Sequence, residues 1–166
     1  MRAASGPDQL LVLIPAFNEV GAIAGVIREV RSVLPEAPIL VVDDASTDGT
    51  HQTARSAGAD VLRLPYHLGL GGGVQAGYKL AYELGYEYVI RVDGDGQHDP
   101  KYIPALLATL RETGCHMVIG SRFQDGNGGY TNSVRAMGIW FFRLVLRPIL
   151  GKPVHDPTSG FVGVNR

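Results

Sequence analysis

Two carboxylates two residues apart, Asp93 and Asp95, follow the apolar run Tyr88-Val89-Ile90-Arg91-Val92 and open the stretch Asp93-Gly94-Asp95-Gly96-Gln97-His98-Asp99-Pro100. At the C-terminal end of a buried strand, with Gly94 relaxing the backbone between them, both side chains can turn into one crevice. Hard oxygen donors in this number suit Mg²⁺ or Mn²⁺, which take one or two protein carboxylates and fill the other positions with water and phosphate oxygens. A calcium loop of the EF-hand kind would need Gly and Glu at its sixth and twelfth positions, where this chain has His98 and Pro104. A helix start accounts for Asp99-Pro100, since Asp caps helices and Pro fits their first turn. Capping uses one side chain, however, and leaves the Asp93/Asp95 pair unexplained.

Similar polar punctuation follows other apolar runs: Pro15-Ala16-Phe17-Asn18-Glu19, then Asp43-Asp44-Ala45-Ser46-Thr47-Asp48-Gly49-Thr50, then Gly120-Ser121-Arg122-Phe123. Asp43 or Asp44, at the end of a strand, can accept hydrogen bonds from a ribose or a base N–H. Ser46, Thr47 and Asp48 read as an N-cap and turn. Clustering at strand C-termini favours a ligand site, because that is the edge where open α/β sheets bind ligands.

The elements that must position these residues alternate. Apolar strand-like runs at Leu10–Ile14, Ile39–Val42, Val61–Leu64, Tyr88–Val92 and Met117–Ile119 are separated by helical patterns at Val20–Leu34, Thr47–Ala57, Gly71–Leu84 and Lys101–Thr113. In the first helix Ile23, Val26, Ile27, Val30 and Val33 recur at steps of three and four, which makes one buried face. Alternation of this kind predicts an α/β domain with a mostly parallel sheet and helices on both faces. With 166 residues, 45% of them hydrophobic and 19% charged, the chain is long and apolar enough for a single domain with a normal core. A net charge of −1 argues against a nucleic-acid partner. The single cysteine, Cys115, excludes an internal disulfide and a Cys-rich zinc site and reads as a buried thiol in a cytoplasmic protein. Residues 1–9 lack an apolar signal core and read as a flexible tail.

The motifs Ile14-Pro15-Ala16-Phe17-Asn18-Glu19, Val41 to Thr50, Asp93 to Pro100, Gly120 to Phe123 and Asp156-Pro157-Thr158-Ser159-Gly160-Phe161 resemble, in order and spacing, the family-two glycosyltransferases, and within them the dolichyl- and polyprenyl-phosphate sugar synthases. The resemblance implies a GT-A (Rossmann-like) fold over 10–166, a nucleotide-diphospho-sugar donor linked to UDP or GDP, Mg²⁺ or Mn²⁺, and inversion at the anomeric carbon. Carried over residue by residue, Pro15, Phe17 and Glu19 would line the nucleotide pocket and Asp44 would contact the nucleoside. Asp93, Asp95 and Gln97 would form the metal and diphosphate cluster. Relatives continue past Phe161 with further strand, helix and basic residues, so a C-terminally truncated domain is expected. An arginine is frequent where Val162 stands, and some relatives carry lysine at Leu70. These departures keep open a second reading, a sugar-nucleotide-binding module that needs a partner.

Several residues carry two readings. Arg122 and Arg135 would bring guanidinium forks to phosphate, or are solvated surface residues. Asp156 is the candidate carboxylate for an acceptor hydroxyl, or part of an Asp-Pro-Thr turn; a lipid phosphate, already anionic, needs no strong base. The segment 135–150 gathers Ile139, Trp140, Phe141, Phe142, Leu144, Val145 and Leu146 with Arg135, Arg143 and Arg147 along one helical face. It fits a helix at the inner face of an anionic membrane holding a polyprenyl phosphate. An amphipathic helix covering the sheet, or an interface in a homo-oligomer, is the other reading and the slightly favoured one. Gly71, Gly73 and Ala76 satisfy the G-x-G-x-x-A pattern of NAD-binding dehydrogenases, but Pro65 to Leu68 separate them from the preceding strand. The histidines, five in all, show no metal-ligand spacing and read mostly as turn or surface residues.

Overall fold

The computed structural model describes residues 9–96, 98–120 and 159–166. Gln97, Arg122, Arg135, Asp156 and the 135–150 segment lie outside the described residues, as do residues 1–8 of the expected tail.

Strands β1 (Leu10–Ala16) and β2 (Ile39–Asp43) are buried at every position. A parallel strand covered on both faces has no solvent side, which is why both read as unbroken apolar runs. β1 pairs in parallel with β2, from Val12↔Ile39 to Ala16↔Asp43, and with β4 (Tyr88–Arg91), from Leu10↔Tyr88 to Leu13↔Arg91. With β3 (Asp60–Arg63), β5 (Met117–Ile119) and β6 (Val162–Asn165), they form a six-stranded sheet in the order β3-β2-β1-β4-β6-β5. Strand β6 goes beyond the sequence reading, which stops at the fifth strand. It runs antiparallel to both β4 and β5 and fills the place between them. Val-Gly-Val-Asn is too short to announce a strand by periodicity; its neighbours make it one.

Alternate residues of β1 face opposite layers. Leu10, Val12, Ile14 and Ala16 pack in one core with α1 (Ile23–Val33), α2 (Thr50–Ser56) and α4 (Ile103–Thr113). Leu11 and Leu13 pack in the other core, beneath α3 (Gly69–Glu83). Gly77 sets the distance on that side, because a Cβ there would stand 2.5 Å from Leu13 Cδ1 and 3.0 Å from Val42 Cγ2. Helices thus cover both faces as predicted. Cys115 is only half-buried, because it lies in the turn between α4 and β5.

Helix starts differ from the sequence reading, and the reason lies at the strand C-termini. α1 and α2 each begin three residues later than the apolar spacing suggests, at Ile23 and Thr50. The residues ahead of them tie the β1–α1 loop to the β2–α2 loop. The Asn18 N–H donates to Ser46 Oγ (2.9 Å), the Glu19 N–H to Thr50 Oγ1 (2.9 Å), the Val20 N–H to Asp48 Oδ2 (3.0 Å) and the Thr47 N–H to Asn18 Oδ1 (3.0 Å). Ser46 and Asp48 therefore brace one loop against another, beyond the capping role their residue types suggest. This bracing holds Asn18 (φ 56°) and Ala45 (φ 60°) in the left-handed region, a conformation that costs about 1–3 kcal/mol per residue and persists only where surroundings enforce it.

Candidate nucleotide-sugar site

The chain leaves β1 toward β2 and later returns to β4 on the opposite side of β1. Connections that diverge in this way open a crevice beyond the strand C-termini. A cavity of about 360 Å³ sits there, lined by Pro15, Ala16, Phe17, Glu19, Asp44, His67, Gly69, Leu70, Gly73, Asp93, Gly94 and Asp95. Every expected site residue that is described lines it: Pro15, Phe17, Glu19, Asp44, Asp93 and Asp95. The two arms approach closely, since a Cβ on Gly94 would lie 3.1 Å from the Pro15 carbonyl oxygen. Gly94 is needed there for proximity.

Part of the crevice lining is aromatic. Half-exposed Phe17 packs on the His67 ring with centroids 4.0 Å apart. His67 Nδ1 lies 2.9 Å from Asp44 Oδ2, while Asp44 Oδ1 accepts the Leu68 N–H at 2.7 Å. Both carboxylate oxygens of Asp44 are thus engaged inside the protein. The second bond also explains why α3 starts at Gly69, two residues before the sequence reading places it. His67 escaped the sequence analysis because nothing in its local spacing distinguishes it; only the fold lays the β3–α3 loop beside Phe17.

Another part is acidic. Burial first, and then the charges of Asp95 and Asp48, raise the Glu19 pKa above the ordinary carboxylate value. Asp48 moves the other way, chiefly because the Thr50 hydroxyl donates to it, with the Val20 and Thr50 N–H groups adding to the effect. Among the described residues lining the crevice there is no lysine or arginine. A diphosphate entering it would meet Asp93, Asp95 and Glu19, and like charges at close range repel. A divalent cation between phosphate and Asp93/Asp95 reverses that sign. Among the described residues no three His, Cys, Asp or Glu side chains converge as a metal cage. Two carboxylates suffice for Mg²⁺ or Mn²⁺ when phosphate and water complete the shell, so the donor set fits.

Asp93 is contacted by two other residues. His98 Nε2 lies 3.1 Å from Asp93 Oδ2, and the His98 ring is buried and stacked on Phe161, centroids 5.4 Å apart and planes 18° from parallel. The Gly160 backbone abuts the same carboxylate, where a Cβ would overlap Asp93. Arg91 anchors that segment through Nε to the Gly160 carbonyl (2.8 Å) and a terminal guanidinium nitrogen to the Ser159 carbonyl (3.0 Å). Ser159 Oγ donates to the Gly120 carbonyl (2.6 Å), and the Gly120 N–H to the Phe161 carbonyl (2.8 Å). His98 is therefore buried rather than a surface residue. Asp99 accepts the Lys101 N–H (3.0 Å) ahead of Pro100–Tyr102, as the cap reading expects. The glycine-rich stretch, by contrast, forms the first turns of α3, which returns the chain from the sheet-edge strand β3 to β4. A dinucleotide fingerprint needs its glycines directly after the strand, so the dehydrogenase reading falls.

Comparison with known proteins agrees with this geometry. The family profile described as glycosyl transferase family 2 matches residues 11–166. The chain is 36% identical to undecaprenyl-phosphate mannosyltransferase of Micrococcus luteus, over 92% of this chain and 65% of that protein. It is 34% identical to polyprenol monophosphomannose synthase of Mycolicibacterium smegmatis, over 96% and 62%. Among solved structures, glucosyl-3-phosphoglycerate synthase of Mycobacterium tuberculosis, in complex with Mn²⁺, UDP-glucose and phosphoglyceric acid, superposes with a TM-score of 0.72 at 25% identity, over 96% of this chain and 57% of that one. The chain thus spans somewhat less than two thirds of each of these three proteins. None of the described helices is long and apolar enough to cross a membrane.

Proposed function

This chain belongs to glycosyl transferase family 2, and from that premise we propose that it is an inverting glycosyltransferase moving a sugar from a nucleoside diphosphate onto a polyprenyl phosphate. One observation carries the reading: a single crevice is lined both by the aromatic pair Phe17 and His67 and by the carboxylates Asp93 and Asp95. That combination suits a ligand with a flat base and a cation-bridged diphosphate. The activities named for the Micrococcus and Mycolicibacterium relatives support the acceptor, and the Mn²⁺ and UDP-glucose in the mycobacterial structure support the donor and the metal.

In this reading Phe17 and His67 stack against the base, and Asp44 acts mainly by fixing His67 rather than by touching the nucleoside alone. Pro15 and Gly94 bring the two arms close enough to enclose the donor. Asp93 and Asp95, with Gln97, would hold Mg²⁺ or Mn²⁺. Bound there, the cation acts as a Lewis acid on the diphosphate, whose negative charge grows as the sugar bond breaks. Arg122 and Arg135 are proposed to add fixed positive charge on the phosphates. A polyprenyl phosphate oxygen is already an anion and attacks without a strong general base; Asp156 is the carboxylate that a hydroxyl acceptor would call on. The 135–150 segment is proposed to rest on an anionic membrane surface at its cytoplasmic side. Flotation with anionic liposomes tests this, and absence of binding refutes it.

Calorimetric titration with UDP-glucose and GDP-mannose, each with and without Mn²⁺, and with NAD, tests the class. Metal-dependent binding of one sugar nucleotide is expected. NAD binding without metal, or silence from all three, overturns the reading. Tight donor binding without hydrolysis or transfer would favour the partner-dependent binding module.

A further inference from the structure

We propose that His98 is a positioning residue for the diphosphate site: its Nε2–H holds one oxygen of Asp93 while Phe161 and the Gly160 backbone fix the imidazole and the carboxylate in place. The proposal rests on the metal-dependent reading above and adds to it a function for residues that the reading leaves idle.

A short carboxylate bears two freely rotating torsions, and a ligand that rotates away from the cation loses affinity. Asp93 sits just beyond the end of β4, where the backbone turns at Gly94. Strand pairing therefore does not hold its side chain. His98 does so directly, at 3.1 Å. The imidazole is in turn pinned: its side chain is only 5% exposed, and its face lies on Phe161. Phe161 and Gly160 belong to the segment that leads into β6, and Arg91, two residues before Asp93, clamps that segment through two carbonyls. Residues far apart in sequence thus converge on one carboxylate. The Gly160 backbone packs so closely on the carboxylate that a Cβ there would overlap it. Asp95, by contrast, is exposed.

The proposal separates the N–H from the ring. His98→Phe keeps the stack on Phe161 and removes the donor; His98→Gln keeps a donating nitrogen at the position of Nε2 and gives up the stack. Mn²⁺ affinity in the presence of UDP, read by electron paramagnetic resonance, is expected to fall about 10- to 100-fold in His98→Phe. UDP binding without metal should be unchanged, and His98→Gln should recover most of the loss. Equal Mn²⁺ affinity in His98→Phe and wild type overturns the proposal. So does a His98→Gln variant as weak as His98→Phe, because the imidazole would then act by some other contact. Should the wild type bind no Mn²⁺ with UDP, the metal-dependent reading fails. The His98–Asp93 contact is judged separately, by the ¹⁵N spectrum of the imidazole: an Nε2–H that shifts on Asp93→Asn is expected, and an Nδ1–H tautomer insensitive to that change overturns the contact itself. Circular dichroism of each variant checks folding, and Phe161→Leu, which removes the stack while keeping an apolar side chain, should give an intermediate loss of Mn²⁺ affinity. Wild-type affinity in Phe161→Leu removes Phe161 from the device.

Discussion

Replacing Gly160 with alanine should damage the site and the fold together, by amounts that the geometry sets. The added Cβ would fall on the Asp93 carboxylate. Two relaxations are open. Asp93 can swing aside and give up its contact with His98, or the Gly160 backbone can retreat and loosen the Arg91 bonds at 2.8 and 3.0 Å. Each route sacrifices a hydrogen bond to a charged group, worth about 1.5–3 kcal/mol net. For a chain of 166 residues, a loss of about 2 kcal/mol lowers Tm by about 4–8 °C. If Asp93 yields first, Mn²⁺ affinity with UDP drops about 10- to 100-fold, the range for displaced outer-shell support. Differential scanning fluorimetry reads the first effect and Mn²⁺ titration the second. A variant within about 1 °C in Tm and about threefold in Mn²⁺ affinity would refute the reasoning, because an overlap of that depth admits no costless accommodation.

Three further changes test the rest of the crevice. Asp95→Ala removes an exposed side chain at a strand end and no core volume, so metal-dependent donor binding should vanish while Tm stays within about 1–2 °C; retained binding in calorimetry would reject Asp95 as a ligand. His67→Ala strips the ring that Phe17 packs on, at a cost of about 1 kcal/mol, or roughly fivefold in UDP affinity measured without metal, and an unchanged Kd would remove His67 from the base site. Glu19 has a raised pKa, so the folded chain keeps its proton after the unfolded chain has released it. That contribution to stability is full below the ordinary value of 4.5 and is lost as pH rises through the folded value. Urea titrations of wild type and Glu19→Gln from about pH 4 to pH 7 should show the wild type losing ground steadily, and parallel curves would contradict the shift.

The sequence by itself determined the class of fold and most of the crevice. Strands β1 and β2 are buried on both faces, so their composition announces a covered parallel sheet. Strand C-termini are legible as the points where apolar runs give way to Asp, Glu and Gly. That local signal placed Asp93 and Asp95 in a crevice; family resemblance added the assignments of Pro15, Phe17, Glu19 and Asp44, and all six line one cavity.

What only the tertiary structure decided is how those side chains are held. Ser46 and Asp48 have the residue types of helix caps, yet their oxygens meet N–H groups of a loop 28 residues away. His67 gains its place because α3 docks over β1 and β2 and carries the preceding loop to Phe17. His98 stacks on Phe161 and Asp93 abuts Gly160, contacts that arise only once β6 has inserted between β4 and β5. Periodicity and residue type report on neighbours along the chain, whereas these contacts join segments that strand pairing brings together. The donors and acceptors can therefore be read from the sequence, and their partners cannot.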